Sequence, residues 1–386
     1  MLKSLITGAT SQLGLSLVER LLDDPSHFLY ILIRKTPDRR QIQLFWNELV
    51  QRHPQIVSQS DRIRLIQGDL TKRGLGISDD DFEHLKSVQI NEVFHLAAFT
   101  DRKAFSKENL LATNYEGTHR LLRASKLWGV KTFNHLGWLY ASPSSFNHQD
   151  DYLQHFETQK DYNNLNEFIH RMTTALILKE SPHLGINFRI FQSGLLLDDI
   201  QKSKKLNPWH ELVLHPIFEM AARKNAGEWS RRVSVSFPAA QVPVYLTTSE
   251  HVAHIISAAK ARGENTENQL FEIFSHSFIV RDLLALVTEE IPEIQLQFVS
   301  SSRQLPSIER KVLKNSLVFF EYLLKQKTFE RSEALLSLER EAHRSIPEFK
   351  REFLKGIIRN CFNKYKMENS APSFSLMKLV GWRANR

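Results

Sequence analysis

The sequence predicts an α/β fold: a doubly wound parallel sheet, with a smaller substrate-covering region and a helical C-terminal appendage. Three observations predict it. Short apolar runs rich in β-branched or aromatic residues recur along the first half of the chain, stretches of helical periodicity fill the intervals, and the first run passes through a glycine-bearing turn straight into a helix. Strands that alternate with helices pair in parallel, and right-handed crossovers then cover both faces of the sheet. Such a sheet binds ligands at the carboxyl ends of its strands.

The strand-like runs are Leu2–Thr7, Phe28–Arg34, Ile63–Gly68, Glu92–Ala97, Lys131–Leu136 and Asn187–Gln192. The helical stretches between them are Leu15–Leu22, Gln41–Gln51, Lys107–Trp128 and Tyr162–Lys179. Past Leu195 the alternation loosens. Asp198–Gln241 holds one helix-like segment, Glu211–Asn225, among irregular loops, as a region covering a substrate would, and Ser249–Lys260 and Val280–Glu290 read as further helices. From Ile308 the chain reads as largely helical. Phe349, Phe353, Ile357, Cys361 and Tyr365 recur every four residues with Lys350, Arg351, Lys355 and Arg359 between them, the pattern of a basic amphipathic helix. Such a stripe more often packs onto its own domain than onto a membrane surface or a partner. No internal repeat interrupts this order. The expected division is residues 1–300 as a nucleotide-binding domain, with interleaved substrate-covering segments at about 195–245 and 265–300, followed by a basic helical region over 301–386.

Composition narrows the class. The 386 residues are 42% hydrophobic and 24% charged, ordinary for a soluble globular protein. No apolar run approaches the roughly 18 residues of a membrane-spanning helix, and a strand within the first few residues argues against a signal peptide. A single cysteine, Cys361, cannot staple the chain to itself, which fits a reducing, cytoplasmic location. The net charge is +8, and residues 303–386 alone carry 18 basic and 9 acidic residues, so the excess is confined to the last fifth. A basic region could meet nucleic acid, anionic lipid or an acidic protein, or simply present a solvated face. No zinc-ligand spacing and no nucleic-acid motif accompanies it, so neither a metal site nor nucleic acid is expected. Peripheral membrane contact through the basic C-terminal helices stays open.

After the first strand comes Thr7-Gly8-Ala9-Thr10-Ser11-Gln12-Leu13-Gly14, opening into a helix. A dinucleotide-binding turn needs small residues for a tight turn, for approach of backbone to the diphosphate and for close packing of the helix on the sheet. Gly8 and Gly14 meet the first and third needs; Ser11 stands where the middle glycine would. Backbone amides of Thr10, Ser11, Gln12 and Leu13 at the helix start would attract the anion. Twenty residues past Gly14, Arg34 ends the second strand, with Lys35, Arg39 and Arg40 beside it. An acidic residue there would hold a ribose hydroxyl, whereas arginine suits a 2′-phosphate, so NADP(H) is favoured over NAD(H).

These residues and those that follow resemble a family. Thr7-Gly8-Ala9-Thr10…Gly14, Ile33-Arg34, Gly68-Asp69-Leu70, Leu75-Gly76-Ile77-Ser78, His95-Leu96-Ala97-Ala98 and Asn114-Tyr115-Glu116-Gly117-Thr118 follow in order the pattern of the extended short-chain dehydrogenase/reductases, a Rossmann-like fold. The Gly-Asp-Leu with its Leu-Gly-Ile-Ser resembles the thioester-reductase and fatty acyl-CoA reductase branch. The likeness covers about residues 2–260. It implies that Asp69 and Leu70 sit beside the adenine, that Ala97 and Ala98 line the strand end beneath ribose and nicotinamide, and that Asn114 anchors water or the active-site lysine loop.

The resemblance also implies a hydroxyl residue, a tyrosine and a lysine four residues after it near the carbonyl being reduced. Here the chain departs. Gly137 and Trp138 occupy the hydroxyl positions, and Tyr162-Asn163-Asn164-Leu165-Asn166 stands for the Tyr-x-x-x-Lys element, with Asn166 in place of lysine. Residues four apart share a helix face, so Tyr162 and Asn166 would face the cofactor together. Gln192-Ser193 replaces a later Arg-Pro pair, His170 stands where relatives have glutamate, Tyr140 is a reserve proton donor, and His95 reads as a structural histidine. Two functions are weighed foremost, with isomerase or epimerase chemistry on a nucleotide sugar a third that needs the same Tyr/Lys pair and is weakened equally by these losses. One is an NADPH-dependent reductase of an acyl thioester or aldehyde, supplied as acyl-CoA or on an acyl carrier protein, of reduced catalytic competence. The other is an inactive relative that keeps the fold as a nucleotide-sensing, binding or scaffold module.

Overall fold

The computed structural model describes residues 1–36, 40–99, 106–143, 149–158, 162–198, 213–225, 229–313, 323–341 and 349–369. Arg39 of the basic loop and Glu211, the expected start of a helix, lie outside these.

In chain order the elements that matter are β1 (Leu2–Thr7), α1 (Gln12–Leu22), β2 (His27–Arg34), α2 (Arg40–Arg52), β3 (Ile63–Gly68), α3 (Asp79–Val88), β4 (Glu92–His95), α4 (Lys107–Leu110), a π-turn (Leu111–Tyr115), α5 (Glu116–Leu127), β5 (Thr132–Trp138), α6 (Gln149–Thr158), α7 (Leu165–Leu184), β6 (Asn187–Ser193), β7 (Leu195–Leu196), α8 (His215–Lys224), β8 (Val233–Pro238), β9 (Pro243–Thr247), α9 (Ser249–Ala261), β10 (Gln269–Ile273), β11 (His276–Ile279), α10 (Val280–Glu290), β12 (Ile294–Val299) and α11 (Ser307–Leu313). Two more helices follow, Glu333–Glu341 and Arg351–Asn369.

They form two compact units. The first comprises the described residues of Met1–Gly194, Thr247–Ser275 and Thr328–Pro347; the second, those of Leu195–Leu246, His276–Lys327 and Glu348–Arg386. The first unit is the Rossmann-like body, a seven-stranded sheet in the order β10-β6-β5-β4-β1-β2-β3. Every pairing in it is parallel. Its inner strands are buried on both faces, which is why they read as continuous apolar runs; Leu5, Ile6, Leu29, Ile31, Val93, Phe94 and Phe133 have no exposed surface. β1 lies between β2 and β4, so the strand order reverses there and a crevice opens at the carboxyl ends.

The second unit has a three-stranded sheet, β11-β9-β7, and a parallel pair, β12-β8, around its own core. The helix Arg351–Asn369 belongs to that core. Leu354, Ile357, Ile358, Cys361 and Tyr365 are buried, and burial pushes the Cys361 thiol up to about 12. Part of the basic face is matched within the unit: Arg351 and Lys355 pair with Glu289, and Arg359 with Glu290. No helix among the described residues is long and apolar enough to cross a membrane, and none of their acidic, histidine or cysteine side chains cluster as a metal site would need.

Candidate active site

The turn after β1 is built around two glycines that cannot carry a side chain. Gly8 has φ +77°, and a Cβ there would sit 2.6 Å from the Ala97 nitrogen and 2.7 Å from the Leu96 carbonyl carbon, at the exit of β4. A Cβ on Gly14 would fall 2.4 Å from the Gly8 oxygen, because α1 starts packed against its own turn. Ser11 caps α1. Its Oγ accepts from the Gly14 amide at 3.0 Å and donates to the Gly8 carbonyl at 2.8 Å. The serine is therefore folded into the turn rather than raised above it. Leu13 points into the core, and the amides of Gln12 and Leu13 fall in the first turn, where no intrahelical acceptor exists. A cradle of this kind, small at both ends and with free amides at a helix start, fits a diphosphate.

Across the crevice, Arg34 is exposed at the end of β2, in register with Gly68 of β3. Asp69 follows. Burial would raise its carboxyl, but hydrogen bonds from Thr71 and the charges of Arg34 and Lys72 outweigh that and hold it below the usual range. Thr71 supplies both bonds to Oδ1, from its amide at 2.9 Å and its hydroxyl at 2.7 Å. The Leu75-Gly76-Ile77 segment lies against this turn, since the Asp69 amide donates to the Leu75 carbonyl at 2.6 Å. Leu70 is buried against Gly117, where a Cβ would stand 3.1 Å away.

A polar chain ties the floor of the crevice together. The Ala97 amide donates to Thr7 Oγ1 at 3.3 Å, and Thr7 Oγ1 meets His95 Nδ1 at 2.7 Å. His95 Nε2 meets Thr118 Oγ1 at 2.8 Å, and Thr118 donates to the Asn114 carbonyl at 2.6 Å. Since Thr118 spends its proton on Asn114, the network assigns the proton of His95 to Nε2. Burial pushes this histidine down to about 3, so it is neutral and structural, as the sequence suggests. Asn114 is buried in the π-turn between α4 and α5, and its Oδ1 accepts from the Phe99 amide at 2.6 Å. It thus fixes the backbone just past Ala97, which is half-buried, and Ala98, which is exposed.

The chemistry expected of the family centres on the end of β5. Gly137 faces Gln192 of β6 across the register, and a Cβ on Gly137 would lie 2.2 Å from Gln192 Oε1. Gln192 is fully buried and donates from Nε2 to Thr174 Oγ1 of α7 at 3.1 Å. Trp138 is half-buried, its ring 5.7 Å from that of Tyr140 and 5.9 Å from that of His170. Tyr140 in turn meets the edge of Phe329 at 5.9 Å. Burial pushes His170 down to about 4 and His135, close by on β5, well below its ordinary value.

Tyr162 and Asn166 are not brought together on one helix face. The helix starts three residues later than periodicity predicts, at Leu165, because Asn164 caps it and accepts from the Glu167 amide at 2.9 Å. Tyr162 precedes the cap, 41% exposed, with its ring 4.8 Å from Phe168. Glu167 and Arg171, both buried, form a 2.7 Å ion pair. Glu167 also accepts from the Asn163 amide, and Arg171 Nε donates to the Ala141 carbonyl at 3.0 Å. Sequence reasoning passed over this pair, although Asn164-x-x-Glu167 is a helix-start signature. The Gln192–Thr174 contact carried no sequence signal, being set by how β6 packs against the helix that precedes it.

Residues 6–187 match the family model described as "Male sterility protein". Among curated proteins, fatty acyl-CoA reductase 2 of Mus musculus is 30% identical over 156 residues, which are 39% of this chain and 30% of that protein. A putative fatty acyl-CoA reductase of Drosophila melanogaster, CG8306, is 35% identical over 125 residues, 30% of this chain and 24% of that one. The matched part spans less than a third of the length of either. Among solved structures, the terminal R domain of the myxalamid PKS-NRPS pathway superposes with TM-score 0.68 at 16% identity, covering 94% of this chain and 91% of that one. A thiolation-reductase di-domain from an archaeal non-ribosomal peptide synthetase gives 0.64 at 16%, over 95% and 76%. The UDP-glucuronic acid 4-epimerase of Bacillus cereus, solved with UDP-glucuronic acid and NAD, gives 0.60 at 15%, over 95% and 100%. These structures share the fold. The sequence resemblance to the fatty acyl reductase branch is borne out over the nucleotide-binding half.

Proposed function

We propose that this chain binds NADPH in the crevice between β1 and β4 and reduces an acyl thioester or an aldehyde. The observation that carries the reading is the Gly8–Gly14 turn, whose serine is bonded inward and whose glycines leave room for a diphosphate. The match of residues 6–187 to the male sterility protein family and the likeness over 156 residues to fatty acyl-CoA reductase 2 support the reaction class. Gln12 and Leu13 amides would hold the diphosphate, Arg34 the 2′-phosphate, and Asp69 and Leu70 the adenine side, while Ala97 and Ala98 leave space for a flat ring. Bound there, the cofactor would supply hydride to the carbonyl carbon. Asn114 would keep the Ala97–Phe99 backbone in place beneath it. The substrate, a thioester of coenzyme A or of an acyl carrier protein, carries anionic phosphate, which accords with the basic excess of residues 303–386.

A second reading, a nucleotide-binding module without turnover, is favoured by one observation. Gln192 fills the space above Gly137, where a catalytic hydroxyl would stand, and no lysine follows on α7 at the corresponding turn. Titrating the purified protein with NADPH and following nicotinamide fluorescence, then adding a long-chain acyl-CoA or aldehyde, separates the two. Consumption of NADPH supports the reductase. Binding without consumption leaves the module, and no binding at millimolar cofactor removes both.

A further inference from the structure

Several polar groups at the end of β5 are spoken for, whereas both ring nitrogens of the buried His135 are without a hydrogen-bond partner among the described residues. Gln192 is bonded to Thr174, Arg171 to Glu167 and Ala141, and His95 to two threonines. His170 shares the lack of partners seen at His135 but, unlike that ring, is not closed off from an approaching ligand. It is only half-buried, its ring lies against Trp138, and among the described residues neither of its ring nitrogens has a hydrogen-bond partner.

Helix geometry keeps Tyr162 away from this place. Tyr162 packs on Phe168, and Phe156 of α6 stacks on the same ring at 6.5 Å. Phe168 and His170 are two residues apart on α7, hence about 200° apart around the helix axis at 3.6 residues per turn. The side chains grouped on Phe168 therefore occupy one side of α7, and His170 with Trp138 the other. From this juxtaposition we infer that His170, rather than Tyr162, donates the hydrogen bond to the oxygen of the carbonyl being reduced. The inference rests on the reductase reading and names the polarising group of that same site.

Two features suit His170 to the task. Its neighbour Arg171 is fastened to the Ala141 carbonyl, three residues past Trp138, and to Glu167 one helical turn earlier, so the imidazole and the end of β5 are held in fixed relation. Its enclosure keeps the ring neutral near pH 7, leaving one N–H as a directed donor without introducing a charge. Donors aimed at an oxygen that gains negative charge in the transition state are worth most in such partly dehydrated places.

The test uses a dead-end complex, so that turnover is not needed. The full chain is loaded with NADP⁺ and a long-chain aldehyde labelled with ¹³C at the carbonyl, and the carbonyl stretch is read by difference infrared spectroscopy. The expected result is a lowered stretch in the native protein that His170→Phe abolishes and His170→Gln, which keeps an N–H, retains in part, with NADP⁺ affinity changed less than about threefold. In turnover, His170→Phe should lower kcat/KM by roughly 10²-fold. A lowered stretch that persists in both folded His170 variants, or that disappears in Tyr162→Phe instead, overturns the inference. So does a native complex that binds NADP⁺ and shows no shifted band. Failure to bind NADP⁺ at all overturns the cofactor reading, and the inference goes with it.

Discussion

The hydroxyl of Ser11 accepts the amide proton of Gly14 at 3.0 Å, closing the turn from within. A helix cap of this kind is worth about 1 kcal/mol, and glycine replaces it at a cost of only a few tenths. Ser11→Ala should therefore lower the unfolding free energy by about 1 kcal/mol, while Ser11→Gly should lower it by a few tenths and change NADPH affinity less than about threefold. Gly14→Ala is the contrasting case. Its Cβ would meet backbone at 2.4 and 2.5 Å, which no rotamer relieves. Thermal unfolding and nicotinamide fluorescence should both register a marked loss.

Arg34 stands exposed at the end of β2, and its charge helps hold the Asp69 carboxyl low. Arg34→Asp should weaken NADPH binding by roughly ten- to a hundredfold, the range of a lost charge-assisted contact. NADH binding should move far less. Equal losses for the two cofactors would remove the 2′-phosphate from the account of this residue.

The Glu167–Arg171 pair is buried at both ends, with exposures of 0% and 2%. Removing one partner strands the other's charge, which typically costs about 3–5 kcal/mol, whereas replacing both by apolar residues of similar volume is often close to neutral. Arg171→Met alone should thus be strongly destabilising in urea. The double variant Glu167→Leu with Arg171→Met should recover most of the loss. A double variant as unstable as the single would mean that the bond to Ala141, not the charge, is what matters.

Restoring a hydroxyl at the end of β5 should not come free. In Gly137→Ser the new Cβ would displace the Gln192 amide and break its bond to Thr174, leaving buried polar atoms unpaired at a cost of about 1–3 kcal/mol. Gly137→Ser with Gln192→Ala removes the clash and should be the more stable of the two by chemical denaturation.

Six of the described histidines are held below their ordinary range, mainly by burial: His27, His170 and His251 to about 4, His95 to about 3, and His84 and His135 in the same direction. Each is neutral in the folded protein, while the unfolded chain takes up protons near the reference value of about 6.5. Their contribution is complete above that value and is lost as the pH falls from it toward about 4. The urea midpoint should accordingly drop between about pH 7.5 and about pH 5, a window above the range where most carboxylates titrate. A midpoint that is flat or rises on acidification would contradict these assignments.

Most of the sheet was legible because its strands are short runs dominated by apolar residues, although the edge strand β10 (Gln269–Ile273) fell in a segment expected to cover the substrate. Leu2–Thr7 and Ile63–Gly68 coincide with β1 and β3 to the residue. The phosphate turn was legible for a local reason too: Gly8 and Gly14 are demanded by contacts within a few residues or by backbone conformation. The reducing end was read less well. Four-residue spacing put Tyr162 and Asn166 on one face, yet the Asn164 cap ends that periodicity before it reaches Tyr162. His170 stood out in the sequence only as a departure from glutamate with no role attached, since its setting depends on Trp138, thirty-two residues earlier and on another element. Motif spacing describes neighbours along the chain; it is silent about which side of a helix a strand end will meet.

The helix Glu333–Glu341 buries Leu335 and Leu338 in the first unit, where Arg262 donates to Ser337 and Glu339 pairs with His251 and Arg331, while the next helix lies in the second unit. The polypeptide thus weaves back and forth between its two halves and leaves neither as an uninterrupted stretch. A ribosome must have made the chain through at least Glu341 before the nucleotide half is whole, and a cut before Thr328 would strip that half of its last wall. Isolating it calls for splicing its separate pieces together rather than trimming the chain from one end.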